Sequence, residues 1–232
     1  FATAQVNRIW YHLMGRGVIE PIDDLRDTNP PNNPALMDAL TEDFIESKYD
    51  LKHMVRTICN SSVYQLSSQP TSDNAEDTGS FARAYVRRLS AEQMLDAMAS
   101  AMDTPNVYNG LPVGIRAAQI PGVNTVYRDR DPSDADRFLK LFGKPPRLVA
   151  CECERSNETA LGQVFELTSG QLIDRLLTHE DNRIARLLAT ERDDAAVITE
   201  LYWAVLSRAP THREVAAAQK LVADTRDRRT AM

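Results

Sequence analysis

Apolar residues recur at spacings of three and four along most of this chain, and this pattern restricts its fold more than any other feature. The first example runs from Ala4 to Met14 and includes Ile9, Trp10 and Leu13. Residues with this spacing lie on one face of an α-helix. No alternation of apolar and polar residues, as expected of a strand, persists for more than a few positions. The sequence therefore predicts a mainly α fold, multi-helical and orthogonal or bundle-like, with long irregular connections and at most short strands.

Local start signals divide this pattern into separate helices. Proline suits the first helical position, and Ser, Thr or Asp can cap a first turn, most strongly when Gln or Glu follows three residues later. Each signal precedes a stretch with helical spacing and so predicts the start of one helix. The signals are Pro34, Asp50, the pair Ser90 and Gln93, and the pair Thr211 and Glu214.

Two irregular stretches interrupt the helical pattern. Residues 67–80 are polar, which is typical of a loop or an insertion. Residues 104–132 form a long connection punctuated by glycine and proline, and such connections are often functional. We therefore expect an N-terminal helical group at 1–103, an irregular bridge at 104–132 and a C-terminal helical group at 133–232. The chain starts without Met and within a helical pattern, so we interpret it as a fragment of a larger protein.

Charge and hydropathy exclude two classes of partner. The formal net charge is -6 at pH 7. An acidic chain is a poor candidate for binding nucleic acid or an anionic membrane through a charged surface, so no nucleic-acid partner is expected. No run of about 18 apolar residues occurs, so no membrane-spanning helix is expected either.

The sharpest chemical feature is the segment CECER at residues 151–155. The thiolates of Cys151 and Cys153 could share a metal ion or face a redox partner, but a stable metal site needs two further ligands. In an oxidising compartment Cys59 could instead form a disulfide with Cys151 or Cys153. The third alternative is that the thiols are buried and inert. Because no haem-attachment or zinc-binding pattern occurs, we expect no metal site and no cofactor within this fragment.

Two acidic residues, Glu152 and Glu154, alternate with these cysteines. In an extended segment their carboxylates would face one way, and the cysteines and Arg155 the other. A hydrolase needs a pair of carboxylates facing a cleft, so Glu152 and Glu154 are candidate catalytic residues. The alternative is a structural network of ion pairs with nearby arginines. Arg147 and Arg155, which flank the acidic pair, are candidate binding residues.

The first predicted helix carries a second polar cluster. Arg8, His12 and Arg16 are spaced by four and are expected to share a helix face, with Asn7 beside them. Neighbouring arginines would disfavour protonation of His12, which could then act as a catalytic base. Asn7, Arg8 and Arg16 are candidate binding residues. The alternative is a polar network that anchors the following loop to the helix.

Seven ordered blocks of sequence carry a resemblance to a known family. They are residues 6–17 (VNRIWYHLMGRG), 29–34 (NPPNNP), 49–53 (YDLKH), 64–67 (YQLS), 87–93 (RRLSAEQ), 142–147 (FGKPPR) and 151–156 (CECERS). On these blocks the chain resembles the planctomycete-type, cytochrome-c-associated domain of unknown function. One departure is Ser62, where the family pattern leads us to expect Arg or Lys.

The resemblance implies a single family domain over residues 1–232, placed near the C-terminus of a large exported bacterial protein. It implies a periplasmic, cell-surface or extracellular location, which favours the disulfide of Cys59. The implied partners are a companion domain of the same polypeptide and, further, a c-type cytochrome domain or a polysaccharide. The family supplies no established catalytic residues.

Three functions remain compatible with the sequence. The first is a non-catalytic helical module that binds a companion domain, a redox partner or a glycan. The second is a polysaccharide-related hydrolase whose cleft is lined by Glu152, Glu154 and His12. The third is a thiol- or metal-dependent redox domain that uses Cys151 and Cys153. The common motifs of serine hydrolases and of nucleotide and dinucleotide binding do not occur.

Overall fold

A computed structural model describes residues 1–77, 79–120, 132–145, 160–225 and 227–232. These residues form two compact units, Phe1–Arg88 and Leu89–Met232. Over the described ranges the regular secondary structure is helical and contains no strand, which confirms the predicted mainly α fold. None of the helices in these ranges is both long and apolar enough to cross a membrane.

Three helices build the N-terminal unit: α1 (Ala2–Met14), α2 (Pro34–Glu46) and α3 (Leu51–Cys59). As predicted, α2 begins at Pro34, and the Asp50 side chain accepts the N–H groups of Lys52 and His53 in the first turn of α3. Helix α1 is followed by Gly15, whose φ of 83° lies in the left-handed region that glycine adopts without steric cost.

The core of this unit forms where the three helices pack on one another. Its side chains come from one face of each helix, from the segment after α1, and from a later loop that contributes one aromatic ring. They are Val6, Trp10, Met14, Val18, Ile19, Met37, Leu40, Phe44, Met54, Ile58 and Phe81. The loop ring, Phe81, packs edge-to-face on Trp10 with 5.2 Å between the ring centroids. Residues near 81 are thereby fixed against the end of α1.

The second unit is a larger set of helices. The predicted capping boxes that start at Ser90 and at Thr211 are both present. Its helices are α4 (Ala91–Met102), a 3-10 helix (Ala117–Gln119), α5 (Asp134–Leu141), α6 (Leu161–Ser169), α7 (Gln171–Thr178), α8 (Arg183–Thr190), α9 (Asp194–Leu206), α10 (His212–Asp224) and α11 (Arg228–Ala231).

The structure divides the chain between Arg88 and Leu89, whereas the sequence pattern placed the first group at 1–103. The difference arises because α4 packs against α5, α7, α8 and α9, and its Leu95 side chain is fully buried in that core. The carboxylate of Asp96 in α4 also accepts the N–H groups of Ala117 and Ala118, at 2.7 and 3.1 Å. Residues up to Ile120 of the expected bridge therefore belong to the core of the second unit.

Candidate functional site

Asn7 connects α1 to the segment that follows it. Its side chain is fully buried, and its amide donates to the carbonyl oxygens of Ile19 and Ile22 at 3.0 and 3.2 Å. Its carbonyl oxygen accepts the N–H of Ile19 at 3.0 Å. The structure therefore uses Asn7 to hold the 15–22 segment and does not present it to a ligand.

The polar face expected on α1 contains Arg8 and His12 but does not extend to Arg16. Arg8 forms a half-exposed ion pair with Asp23, with 2.5 Å between nitrogen and oxygen, and His12 is exposed. Helix α1 ends at Met14, so Arg16 lies beyond the helix and does not share its face. Of the predicted residues in this region, the structure places only Arg16 in the cavities described below.

The segment after α1 is held in one conformation by Gly17 and Glu20. The N–H of Gly17 donates to the Glu20 carboxylate. A Cβ at Gly17 would lie 2.4 Å from the carbonyl oxygen of Ile19, so no larger residue fits without a shift of the backbone. The carboxylate of Glu20 is consequently a structural acceptor for its own loop.

A second loop is organised by the carboxylate of Asp77. It accepts the N–H groups of Gly79, Ser80 and Ala82 at 3.2, 2.8 and 2.9 Å, and the hydroxyl of Tyr85 at 3.1 Å. These backbone donors, that of Ala82 first, hold the pKa of Asp77 well below its usual range. Asp77 therefore stays charged and acts as an acceptor.

Arg83 and Tyr85 complete this loop. The guanidinium of Arg83 lies 5.3 Å from the centroid of the Tyr85 ring, and its Nε donates to the carbonyl oxygen of Asn74 at 3.2 Å. Burial raises the pKa of Tyr85, and the hydrogen bond to Asp77 raises it further. The Tyr85 hydroxyl therefore remains protonated and donates to the carboxylate.

The two loops and the end of α1 border two cavities, open to solvent, that share the side chain of Arg16. The first, which we call the Tyr85 cavity, has a volume of about 430 Å³ and is lined by Tyr11, Gly15, Arg16, Glu20, Asp77, Arg83 and Tyr85. The second, which we call the Trp10 cavity, has a volume of about 570 Å³ and is lined by Trp10, Arg16, Asn32, Asn33, Leu36, Val63, Gly79, Ser80 and Phe81. Both volumes fall in the range of sites for small ligands.

The chemistry of these walls suits binding better than proton transfer. The two carboxylates, Glu20 and Asp77, already accept hydrogen bonds from backbone N–H groups of their own loops. A general acid needs a pKa near the working pH, and the pKa of Asp77 is shifted in the opposite direction. The arrangement can hold a ligand through guanidinium, amide and hydroxyl groups.

Replacing Asp77 with alanine is expected to release the loop that it organises. Three backbone N–H groups and the Tyr85 hydroxyl lose their acceptor, so amide exchange at Gly79, Ser80 and Ala82 should accelerate by about tenfold or more. Because the pKa of Asp77 is depressed by folding, its contribution to stability is present above about pH 4 and is lost as the pH falls further. In the Asp77→Ala variant, this contribution to the pH dependence of stability should be absent. Amide hydrogen exchange and acid titration would measure both effects.

Asp73 provides the matched control for this variant. It lies exposed four residues earlier, and its carboxylate accepts the hydroxyl of the adjacent Ser72 at 2.9 Å. Asp73→Ala should leave the exchange rates of the three amides unchanged. Equal rates in Asp77→Ala and the native chain would contradict the role assigned to Asp77.

Several predicted site residues lie outside the described residues. They are Arg147, Cys151, Glu152, Cys153, Glu154 and Arg155. Cys59, the third thiol, is free and half-buried at the end of α3, so the structure does not show the predicted disulfide. Over the ranges that the structure describes, no cluster of three or more His, Cys, Asp or Glu side chains could hold a metal ion.

Four residues of the cavities escaped the sequence analysis: Glu20, Asp77, Arg83 and Tyr85. Asp77, Arg83 and Tyr85 lie in a region whose apolar residues show neither the spacing of a helix nor that of a strand, so the sequence predicts no structural element there. A signal was available for Asp77, because Asp followed within three positions by Gly and Ser is a common turn pattern in which the side chain accepts backbone N–H groups.

Comparison with known proteins gives one match. The family model described as PSD1: Protein of unknown function (DUF1553) matches residues 1–222. No curated protein and no solved structure matches the chain. The matched range contains every residue that lines the two cavities.

Proposed function

The chain belongs to the DUF1553 family of proteins of unknown function, and from this premise we propose that it is a non-catalytic helical module that binds a glycan. The proposed setting is a large exported bacterial protein of the planctomycete, cytochrome-c-associated type, with a companion domain in the same polypeptide. The glycan-binding site is the pair of cavities that share Arg16, and binding needs no cofactor.

One observation carries this proposal: Arg16 lines two neighbouring cavities, and the two carboxylates in the wall of the Tyr85 cavity already accept hydrogen bonds from their own loops. A docked protein partner would need a surface of about 800 Å² on each side. Cavities of about 430 and 570 Å³ instead match a small ligand or one or two sugar residues. Sugar hydroxyls both donate and accept hydrogen bonds, which fits the mixture of guanidinium, amide and carboxylate groups in the walls.

Replacing Arg16 with glutamine tests the site directly. A hydrogen bond to a charged group contributes about 1.5–3 kcal/mol, so oligosaccharide affinity should fall by at least about tenfold. The measurement is isothermal titration of the intact chain with a panel of neutral and acidic oligosaccharides. The melting temperature of each variant, recorded in parallel, separates a loss of binding from a loss of folding.

The matched control is Arg56→Gln, which removes the same charge from an exposed position in the last turn of α3. This variant should retain the native affinity. Failure of every oligosaccharide in the panel to bind would contradict glycan binding. Release of new reducing ends from a bound oligosaccharide would instead support the hydrolase hypothesis. Loss of binding after dialysis against a chelator would contradict the proposal that no cofactor is needed.

A further inference from the structure

Positive and negative charges are balanced in the Tyr85 cavity. Its described walls contain two carboxylates, those of Glu20 and Asp77, and two guanidinium groups, those of Arg16 and Arg83. We propose that this cavity binds an uncharged sugar residue, so that the preferred glycan is neutral at the position that enters it. This inference rests on the proposed glycan-binding function and adds the chemical class of the ligand.

A charged ligand group gains little from such walls. A carboxylate would be attracted by the two guanidinium groups and repelled by the two carboxylates, and the reverse holds for an ammonium group. Either ion would also lose hydration on entering a cavity bordered by protein. A sugar hydroxyl carries no charge, loses less hydration free energy, and can both donate and accept a hydrogen bond. The balance of charge therefore favours hydroxyl groups over ions.

Glu20 retains hydrogen-bonding capacity for a sugar hydroxyl. Its Oε1 atom accepts the N–H of Gly17, and its carboxylate has no other partner among the contacts of the described residues. The side chain is half-buried and lines the cavity. A carboxylate can accept about four hydrogen bonds, so Glu20 can accept one from a ligand while Oε1 keeps its loop in place. The carboxylate of Asp77, in contrast, is occupied by three backbone N–H groups and the Tyr85 hydroxyl.

Arg83 offers the complementary donor. Its Nε and Nη2 atoms donate to the carbonyl oxygens of Asn74 and Ala75, at 3.2 and 3.4 Å. Its third nitrogen, Nη1, has no acceptor among the residues that the structure describes, and the side chain is a half-buried part of the cavity wall. The two carbonyl contacts fix the guanidinium. Nη1 can therefore donate to a sugar hydroxyl without the entropy cost of ordering a free side chain.

The aromatic wall of the cavity is also fixed before a ligand binds. The hydroxyl of Tyr85 donates to Asp77 at 3.1 Å, and the Phe81 ring packs edge-to-face on the Tyr85 ring with 6.2 Å between centroids. The Arg83 guanidinium lies over the same ring. Because the Tyr85 hydroxyl is used within the protein, the residue contributes apolar surface to the cavity, on which the C–H groups of a sugar ring can pack.

Matched sugars test the preference for an uncharged residue. Glucose, galactose and mannose are each compared with the corresponding uronate and the corresponding 2-amino sugar, at about pH 6, where an amine of this kind is protonated. Each is titrated into the intact chain while the backbone amide signals are followed by NMR. In a series that binds, the neutral sugar should bind at least about tenfold more tightly than its two charged forms. It should also shift the amide signals of Arg83 and Tyr85.

Two charge-removing variants then test the balance. Glu20→Gln keeps an acceptor for the Gly17 N–H but removes a negative charge, so the affinity for the uronate relative to the neutral sugar should rise about fivefold. Arg83→Gln should move the preference about fivefold towards the amino sugar. Glu46→Gln and Arg56→Gln remove the same charges from exposed positions on α2 and α3, and they should change neither ratio.

Each possible failure has a distinct meaning. A native chain that binds the uronate or the amino sugar more tightly than the neutral sugar would overturn the inference while glycan binding stands. Neutral sugars that leave the signals of Arg83 and Tyr85 in place, or affinity ratios that stay unchanged in both variants, would overturn the assignment to this cavity. Failure of all three series to bind would contradict the glycan-binding function itself.

Discussion

The Asn7→Ala variant is expected to lose about 2–4 kcal/mol of stability, because the buried N–H and carbonyl of Ile19 would lose their hydrogen-bond partner. The carbonyl of Ile22 loses its partner as well. A loss of this size is a large fraction of the about 5–15 kcal/mol that stabilises a typical domain. Urea denaturation followed by circular dichroism would measure it.

Two further variants sharpen this prediction. Asn7→Asp keeps an acceptor for the Ile19 N–H but places a carboxylate against two carbonyl oxygens, so at neutral pH it should be at least as unstable as Asn7→Ala. Asn60→Ala changes an exposed asparagine after α3 and should stay within about 0.5 kcal/mol of the native chain. If Asn7→Ala were as stable as Asn60→Ala, Asn7 would not hold the segment after α1.

The helices could be predicted because their signals are local. The caps at Asp50, Ser90 and Thr211 each depend on a side chain and an N–H group within three residues, and all are present. The boundary between the units could not be predicted in the same way. The boundary depends on whether α4 packs against the helices that precede it or against those that follow it in the sequence. The apolar face of α4 is compatible with both arrangements.

The cavities show where local patterns stop being informative. Arg16 lines the cavities because the left-handed conformation of Gly15 ends the helical path before Arg16. The spacing of four residues therefore no longer places Arg16 on the same face as Arg8 and His12. Its neighbours Asp77 and Tyr85 come from a loop about 60 residues later, and only tertiary packing brings them to the same place. No period in the sequence connects two irregular segments across such a distance.

The backbone conformation of Phe81 could not be predicted from the local sequence either. It adopts φ of 56°, which is rare for a bulky residue and costs about 1–3 kcal/mol. The hydrogen bonds from Gly79, Ser80 and Ala82 to Asp77 enclose this position, and the Phe81 ring is buried against Trp10. Tertiary contacts therefore fix a conformation that local sequence preferences oppose, beside the proposed ligand site.

Trp10 should give the largest loss of stability. Trp10→Ala removes a side chain that is almost fully buried between the helices of the N-terminal unit and takes away the ring on which Phe81 packs. Truncation of a buried aromatic side chain costs about 3–5 kcal/mol. The strained loop around Phe81 would lose one of its two anchors, so amide exchange at Gly79 and Ser80 should also increase. Urea denaturation and hydrogen exchange would measure the two effects.

The Trp10→Phe variant separates packing from the indole N–H. Phenylalanine keeps most of the aromatic packing and removes a buried donor that has no acceptor among the described residues, so the expected loss is only about 1–2 kcal/mol. If Trp10→Phe were as unstable as Trp10→Ala, the indole N–H would be making a hydrogen bond in the unliganded protein. A small loss would agree with an indole N–H that has no acceptor among the described residues.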